Sequence, residues 1–76
     1  MTGLSTKQRK MQEKGEAVVA FITAFWAARG YAPTIREIQD ACRFSSGSVV
    51  VYHLQLLQGK GKVQREPGLA RTLRVV

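Results

Sequence analysis

Four side chains between residues 46 and 52 have the chemistry to read a hydrogen-bonding surface. Ser46 and Ser48 carry hydroxyls that donate and accept, Tyr52 adds a phenol, and Val49 adds an apolar contact. All four belong to the first turns of one predicted helix. Groups of these types hydrogen-bond to base edges and pack on thymine methyl groups in the DNA major groove. We therefore interpret the stretch as a recognition helix that reads bases.

Basic side chains before and after this helix have the chemistry to bind phosphate. The chain of 76 residues holds twelve Lys and Arg against five Asp and Glu, a net charge of +7. On one small domain, such a charge indicates a polyanionic partner, most often nucleic acid. We predict phosphate contacts from six cations: Arg43, Lys60, Lys62, Arg65, Arg71 and Arg74.

Residues able to catalyse a reaction or hold a metal ion are few. His53 has no predictable Ser, Cys or carboxylate partner, which favours a packing or hydrogen-bonding role over general-base catalysis. Cys42 can form no internal disulfide, and one Cys with one His makes no zinc site. We predict a small buried role for Cys42. The sequence predicts no enzyme, no catalytic residue, no metal site, no cofactor and no small-molecule ligand.

Two short helices joined by a tight turn must position the base-reading residues. The first helix begins at a T-x-x-E capping box over residues 34–37, in which Thr34 and Glu37 satisfy otherwise unpaired backbone N–H groups. Its predicted apolar side consists of Ile35, Ile38, Ala41 and Cys42. The break before the second helix spans only residues 43–45, a length typical of a helix-turn-helix.

The second helix has its own start signal and its own inward stripe. Ser45 and Ser46 offer an N-cap. At helical spacing, the residues predicted to face inward are Val50, Leu54 and Leu57. Two packed helices with an ordinary polar outer face remain the simpler alternative.

A hairpin and a preceding helix complete the predicted domain. Residues 62–66 and 72–76 alternate polar and apolar side chains around the turn signal Pro67-Gly68, which predicts a two-stranded wing. Val63, Leu73 and Val75 should pack on the helices. The predicted fold is mainly α (α+β), a three-helix winged helix-turn-helix with a C-terminal hairpin over residues 11–76.

The helix before the motif is predicted from about residue 11 to residue 29. Gly15 weakens its early part, so a well-formed helix is expected only from near Glu16, and Gly30 should end it. Phe21 and Phe25 are expected in the core, whereas Trp26 at the edge of the stripe is available to a partner. Residues 1–10 are predicted to be a flexible basic arm.

Residues 17–28 are uncharged and follow a basic stretch, the outline of a signal peptide. Glu13 and Glu16 interrupt that basic stretch, and removal of the run would leave no helix to close the core. Twelve residues are also too few to span a bilayer. We predict no membrane association and a cytoplasmic location, on the bacterial nucleoid when bound to DNA.

Motifs in a consistent order cover residues 30–76. They are GYAPTIREI at residues 30–38, SSGSVVVYHL at 45–54, a Lys-Gly pair before the wing, and R-x-P-G-x-x-R from Arg65 to Arg71. In these motifs the chain resembles the N-terminal DNA-binding domain of LexA-type SOS repressors. The helix before them agrees with that family in character but not in detail, and the basic arm looks longer than the family's usual start.

The resemblance implies a bacterial regulator of the SOS response that binds a palindromic operator, usually as a homodimer, and represses by occluding a promoter. It implies base contacts from Ser46, Ser48, Val49 and Tyr52. It also implies phosphate contacts from Thr34, Ser45 and the wing.

Two departures from the family leave parts of that expectation open. Enterobacterial members carry acidic residues where this chain has Val51 and Tyr52, so the same operator is not implied. The 76 residues also hold no counterpart of the serine–lysine peptidase domain, which dimerises LexA repressors. An excised domain and a stand-alone regulator therefore both remain open.

Two other classes of function remain open alongside sequence-specific regulation. One is a winged-helix module for protein–protein interaction, suggested by the apolar residues Phe21, Trp26, Val51 and Leu56. The other is a nonspecific or architectural DNA-binding protein, such as a phage excision-type factor. The operator, the regulated genes and the inducing signal are not encoded in any motif.

Overall fold

Three helices and a two-stranded hairpin follow one another along the chain. In the computed structural model, which describes residues 6–66 and 71–76, the elements are α1 (Thr6–Arg29), α2 (Ile35–Cys42), α3 (Gly47–Gly59), β1 (Val63–Gln64) and β2 (Arg74–Val75). The strands pair antiparallel. This order and content confirm the predicted mainly helical winged helix-turn-helix.

The first helix begins earlier than the sequence predicts. α1 starts at Thr6 and runs without interruption through Gly15, so residues 6–10 are helical rather than part of a frayed arm. Residues 1–5 of that predicted arm lie outside the described residues. The start near Glu16 is also wrong, because Gly15 is buried against α3 rather than exposed to water. The end is as predicted: Gly30 has φ +76° and its N–H donates to the Trp26 carbonyl at 2.8 Å.

Gly15 offers a direct test of this helix. A Cβ at this position would lie 3.6 Å from Leu57 Cδ2, an ordinary van der Waals contact. We expect Gly15→Ala to raise the free energy of unfolding by about 0.5–1 kcal/mol, because alanine restricts the unfolded chain and favours helix. Thermal or urea denaturation measures the change. Gly30→Ala is the control and should destabilise the domain, since position 30 needs a positive φ. A less stable Gly15→Ala variant would contradict the expected packing.

The helix-turn-helix forms as its local signals predict. The Thr34 N–H donates to Glu37 Oε1 at 2.7 Å, and the Glu37 N–H donates to Thr34 Oγ1 at 3.2 Å, which completes the capping box. α2 ends at Cys42, and its C-cap, Arg43, has a left-handed conformation with φ 59°. The apolar side of α2 is narrower than predicted: Ile38 is buried and Ile35 and Cys42 are half-buried, but Ala41 is exposed.

The core lies where the helices and the hairpin meet. Ten buried residues form it: Val18, Ile22, Ala32, Ile38, Phe44, Val50, Leu54, Leu57, Val63 and Leu73. Phe21 and Val75 pack against this cluster while partly buried, and Phe25 is buried beside Phe21 and Tyr31. The expected packing of the two phenylalanines and of the hairpin is therefore confirmed.

The wing is short and is tied to α1. Val63 faces Val75, and Gln64 faces Arg74, so each strand has two residues rather than the predicted five. The predicted turn at Pro67-Gly68 lies outside the described residues. Trp26 Nε1 donates to the Leu73 carbonyl at 2.9 Å. Trp26 therefore holds the wing against α1, although the sequence left it available to a partner. Among the helices described, none is both long and apolar enough to cross a membrane.

Candidate nucleic-acid interface

α3 is held by its inward stripe and begins at a serine cap. Val50 and Leu54 are fully buried, and Leu57 is 6% exposed. Ser46 is the N-cap, and its Oγ accepts a hydrogen bond from the Val49 N–H at 3.4 Å. The inward stripe and the capping serine are therefore as predicted. The face of α3 opposite this buried stripe is exposed to solvent.

The four residues predicted to read bases differ in how freely they reach solvent. Ser48 is exposed and Tyr52 is 50% exposed. Ser46 is half-buried and accepts at the cap, which leaves its hydroxyl proton for a second partner. Val49 is half-buried because part of its side chain packs on the core. Ser48 and Tyr52 are thus the members best placed to meet an outside surface.

Gln55 is a candidate base reader that the sequence reasoning missed. It is exposed, and it follows Tyr52 by three residues and Ser48 by seven, so the three residues share one face of α3. A glutamine amide can donate and accept together with adenine in the major groove. Helical spacing alone could have identified Gln55 in the sequence, because it places this residue on the same face as Ser48 and Tyr52, beyond the first two turns of α3.

Several predicted phosphate ligands meet at the start of α2. A pocket of about 300 Å³ is lined there by Thr34, Arg36, Arg65 and Arg71, with apolar neighbours. Three of these four are predicted ligands. Arg36 was missed, although its side chain is 82% exposed and pairs with Asp40 at 3.5 Å. The wing and the first turn of α2 therefore present cations on one surface.

Arg71 has internal partners in addition to its predicted role. Its Nη1 donates to the Ala32 carbonyl at 2.9 Å and to Glu37 Oε1 at 3.0 Å, and its guanidinium lies 4.8 Å from the centre of the Tyr31 ring. The Thr34 N–H, its hydroxyl and Arg71 together lower the pKa of the Glu37 carboxyl. Arg71 thus anchors the wing to the start of α2, and its contact with phosphate stays a prediction.

The remaining predicted phosphate ligands are distributed around α3. Arg43 and Ser45 are exposed in the turn before it, and Lys60 and Lys62 are exposed after it. Arg74 is exposed on the wing, where its Nη2 donates to Gln64 Oε1 at 3.0 Å. Lys60 and Lys62 line one cleft, but Arg43, Ser45 and Arg74 do not line it. Such a dispersed arrangement suits a long charged backbone rather than a small anion.

His53 is buried next to Tyr52, one of the residues predicted to read bases. It is 5% exposed, and its ring lies against Phe44 with 5.1 Å between ring centres. Burial lowers the pKa of the imidazole, and the nearby charge of Lys14 lowers it further. The residue packs as the sequence reasoning favoured.

We expect His53 to make the domain less stable in mild acid. The unfolded chain takes up the proton near the ordinary pKa of 6.5, whereas the folded chain takes it up only at lower pH. Stability is therefore complete above about pH 6.5 and falls below it, until the folded-state pKa is passed. One proton limits the slope to about 1.4 kcal/mol per pH unit. Urea denaturation between about pH 7 and 5 measures it, and His53→Phe should remove it. An unchanged slope in that variant would contradict the assignment.

The described residues offer few groups for metal binding or for thiol chemistry. Within residues 6–66 and 71–76, no three His, Cys, Asp or Glu side chains lie close enough to hold a metal ion. Cys42 is half-buried and packs against the core, and burial raises the pKa of its thiol. Cys42 thus packs as a small apolar residue at the edge of the core and is less buried than the sequence predicts.

Comparisons with known proteins match this chain along most of its length. The family model described as the LexA DNA binding domain matches residues 1–72. The chain is 37% identical over its full length to the LexA repressor of Herpetosiphon aurantiacus and covers 32% of that protein. It is also 40% identical over 72 residues to the LexA repressor of a Roseiflexus species. That matched region is 95% of this chain and 30% of the repressor. The chain thus spans about a third of the length of these relatives.

Proposed function

Because this chain belongs to the LexA DNA-binding domain family, we propose that it binds double-stranded DNA as the sequence-reading unit of a transcriptional repressor. α3 enters the major groove in this proposal, and the cations of the wing and the turns bind phosphates. The observation that carries the proposal is the exposed polar face of α3, on which Ser48, Tyr52 and Gln55 stand together.

Specificity in this proposal comes from several weak contacts. Ser48 and Tyr52 donate or accept at base edges, and Gln55 can make a paired contact with adenine. Neither the first turn nor the second holds an Arg, Asn or Gln. DNA shape, or a second copy of the domain on an inverted half-site, then supplies the remaining discrimination. The repressor acts by occupying a palindromic operator as a dimer inside the bacterial cytoplasm.

The protein-interaction alternative loses much of its support in this fold. Phe21 packs on the core, Trp26 bonds to the wing, and Val51 is half-buried. Trp26 and Leu56, each 37% exposed, are the members of that set that keep the most solvent-facing surface. The exposed polar face and the dispersed cations favour DNA over a protein partner.

Binding-site selection from a random pool of duplex DNA tests the proposal. We expect enrichment of an inverted repeat, with half-sites about one helical turn apart. A single short motif would support sequence reading by a monomer. Tight, salt-sensitive binding with no enriched motif would overturn sequence specificity in favour of an architectural role. Absence of binding to any duplex would overturn the DNA-binding proposal.

A further inference from the structure

The first turns of α1 extend beyond the core that the helix serves. The buried residues of α1 are Gly15, Val18, Ile22 and Phe25, so its contribution to the core begins nine residues after Thr6. Among the described residues before Gly15, Met11 is half-buried and all the others are exposed. At 1.5 Å per residue, residues 6–14 add about 13 Å of helix that the core does not require. We call residues 6–14 the α1 extension.

The charges of the α1 extension oppose helix formation. It carries Lys7, Arg9, Lys10 and Lys14 against the single carboxylate of Glu13, and its first turn has no acidic residue. Cations at a helix N-terminus repel the positive end of the helix dipole and one another. Among these cations, Lys7 in particular has no acidic residue three or four positions away to offset the repulsion. A polyanion bound beside them would reverse the sign of both effects.

The α1 extension lies beside the base-reading face. Gln8, Met11 and Gln12 line one wall of a cleft of about 540 Å³, and Tyr52 and Leu56 of α3 line the other wall. On the other flank of α1, Lys14 Nζ lies 5.6 Å from the centre of the Phe44 ring, in the turn that leads into α3. DNA that contacts Tyr52 in the major groove thus passes close to this basic segment.

We infer that the α1 extension is an additional binding surface for DNA phosphates, alongside the recognition helix. Lys7, Arg9 and Lys10 contact the sugar–phosphate backbone that borders the major groove on the Tyr52 side. Because phosphates are the same for every sequence, this surface raises affinity without selecting bases. The inference rests on the proposed function, since it requires that α3 meet duplex DNA.

A triple variant, Lys7→Gln, Arg9→Gln and Lys10→Gln, tests the inference. Glutamine keeps a helix propensity close to that of lysine and arginine, so circular dichroism should show the helix intact. We measure the dissociation constant for the selected duplex and for a scrambled duplex at several salt concentrations. We expect both to weaken by the same factor, about tenfold or more at low salt. The slope against log salt concentration should become shallower by up to about 2.7.

Arg29→Gln is the charge control on the same helix. Arg29 stands at the far end of α1, where its guanidinium lies 5.2 Å from the centre of the Phe25 ring. Its variant should keep the slope of the unaltered chain, whereas each single variant of the α1 extension should lower the slope by about 0.9. The single variants provide the same test if the triple variant unfolds.

The outcomes separate this inference from the proposed function. Unaltered DNA binding together with an unchanged slope in the α1 variants would overturn the inference and leave the proposed function standing. An equal loss per charge in Arg29→Gln would also overturn it, because net charge alone would explain the effect. If the unaltered chain binds no duplex, the proposed function and the inference both fail.

Discussion

Replacing Arg71 with alanine should weaken binding to every DNA sequence and should also destabilise the domain. The guanidinium joins the wing to the Ala32 carbonyl and to Glu37, and it covers the Tyr31 ring. Its side chain is 41% exposed, so solvent screens part of these interactions. We expect the free energy of unfolding to fall by about 1–2 kcal/mol. Affinity should fall about tenfold, because a phosphate contact and the placement of the wing are lost together.

Arg74→Ala separates the two roles of Arg71, which are the predicted phosphate contact and the anchoring of the wing. It removes the same charge from the same hairpin, but the hydrogen bond of Arg74 is to Gln64 within the wing. We expect a loss of affinity of only a few fold and little change in stability. Denaturation and salt-dependent binding of both variants provide the comparison. Equal stability of the two variants would show that Arg71 does not anchor the wing.

Replacing Ser48 with alanine should change which DNA sequence is bound. Ser48 is exposed on the outer face of α3, where its hydroxyl can donate to or accept from one base edge. We expect a loss of about 1–3 kcal/mol on the preferred duplex and a relaxed preference at one base position. Binding to the selected duplex, to its single-base variants and to a scrambled duplex measures both effects.

Ser45 supplies the matched control for this change. Ser45→Ala removes the same hydroxyl from an exposed position in the turn, where we predict a phosphate contact, so all duplexes should weaken alike. Ser46→Ala is unsuitable because it also removes the N-cap of α3, which costs about 1 kcal/mol of stability. Equal losses on preferred and scrambled DNA for Ser48→Ala would remove that residue from the base-reading set.

The sequence by itself determined the features that depend on neighbours along the chain. The capping box of α2 needs only Thr34 and Glu37, three residues apart, and its hydrogen bonds form as predicted. The turn at Gly30 and the inward stripe of α3 follow from glycine conformation and helical spacing. The hairpin followed from alternation around a turn signal, although its strands are shorter than predicted. Local rules were sufficient for the helices because the interacting groups lie within one or two helical turns.

The tertiary structure alone decided the contacts between distant segments. Arg71 reaches Ala32 across 39 residues, and Trp26 reaches Leu73 across 47. Gly15 lies inside α1 rather than before its start, because it is buried there against the side chain of Leu57. None of these pairings follows from periodicity, since each depends on how the wing and α3 dock on α1. The sequence therefore predicted side chains for contact with DNA, whereas long-range packing decided which of them also hold the wing in place.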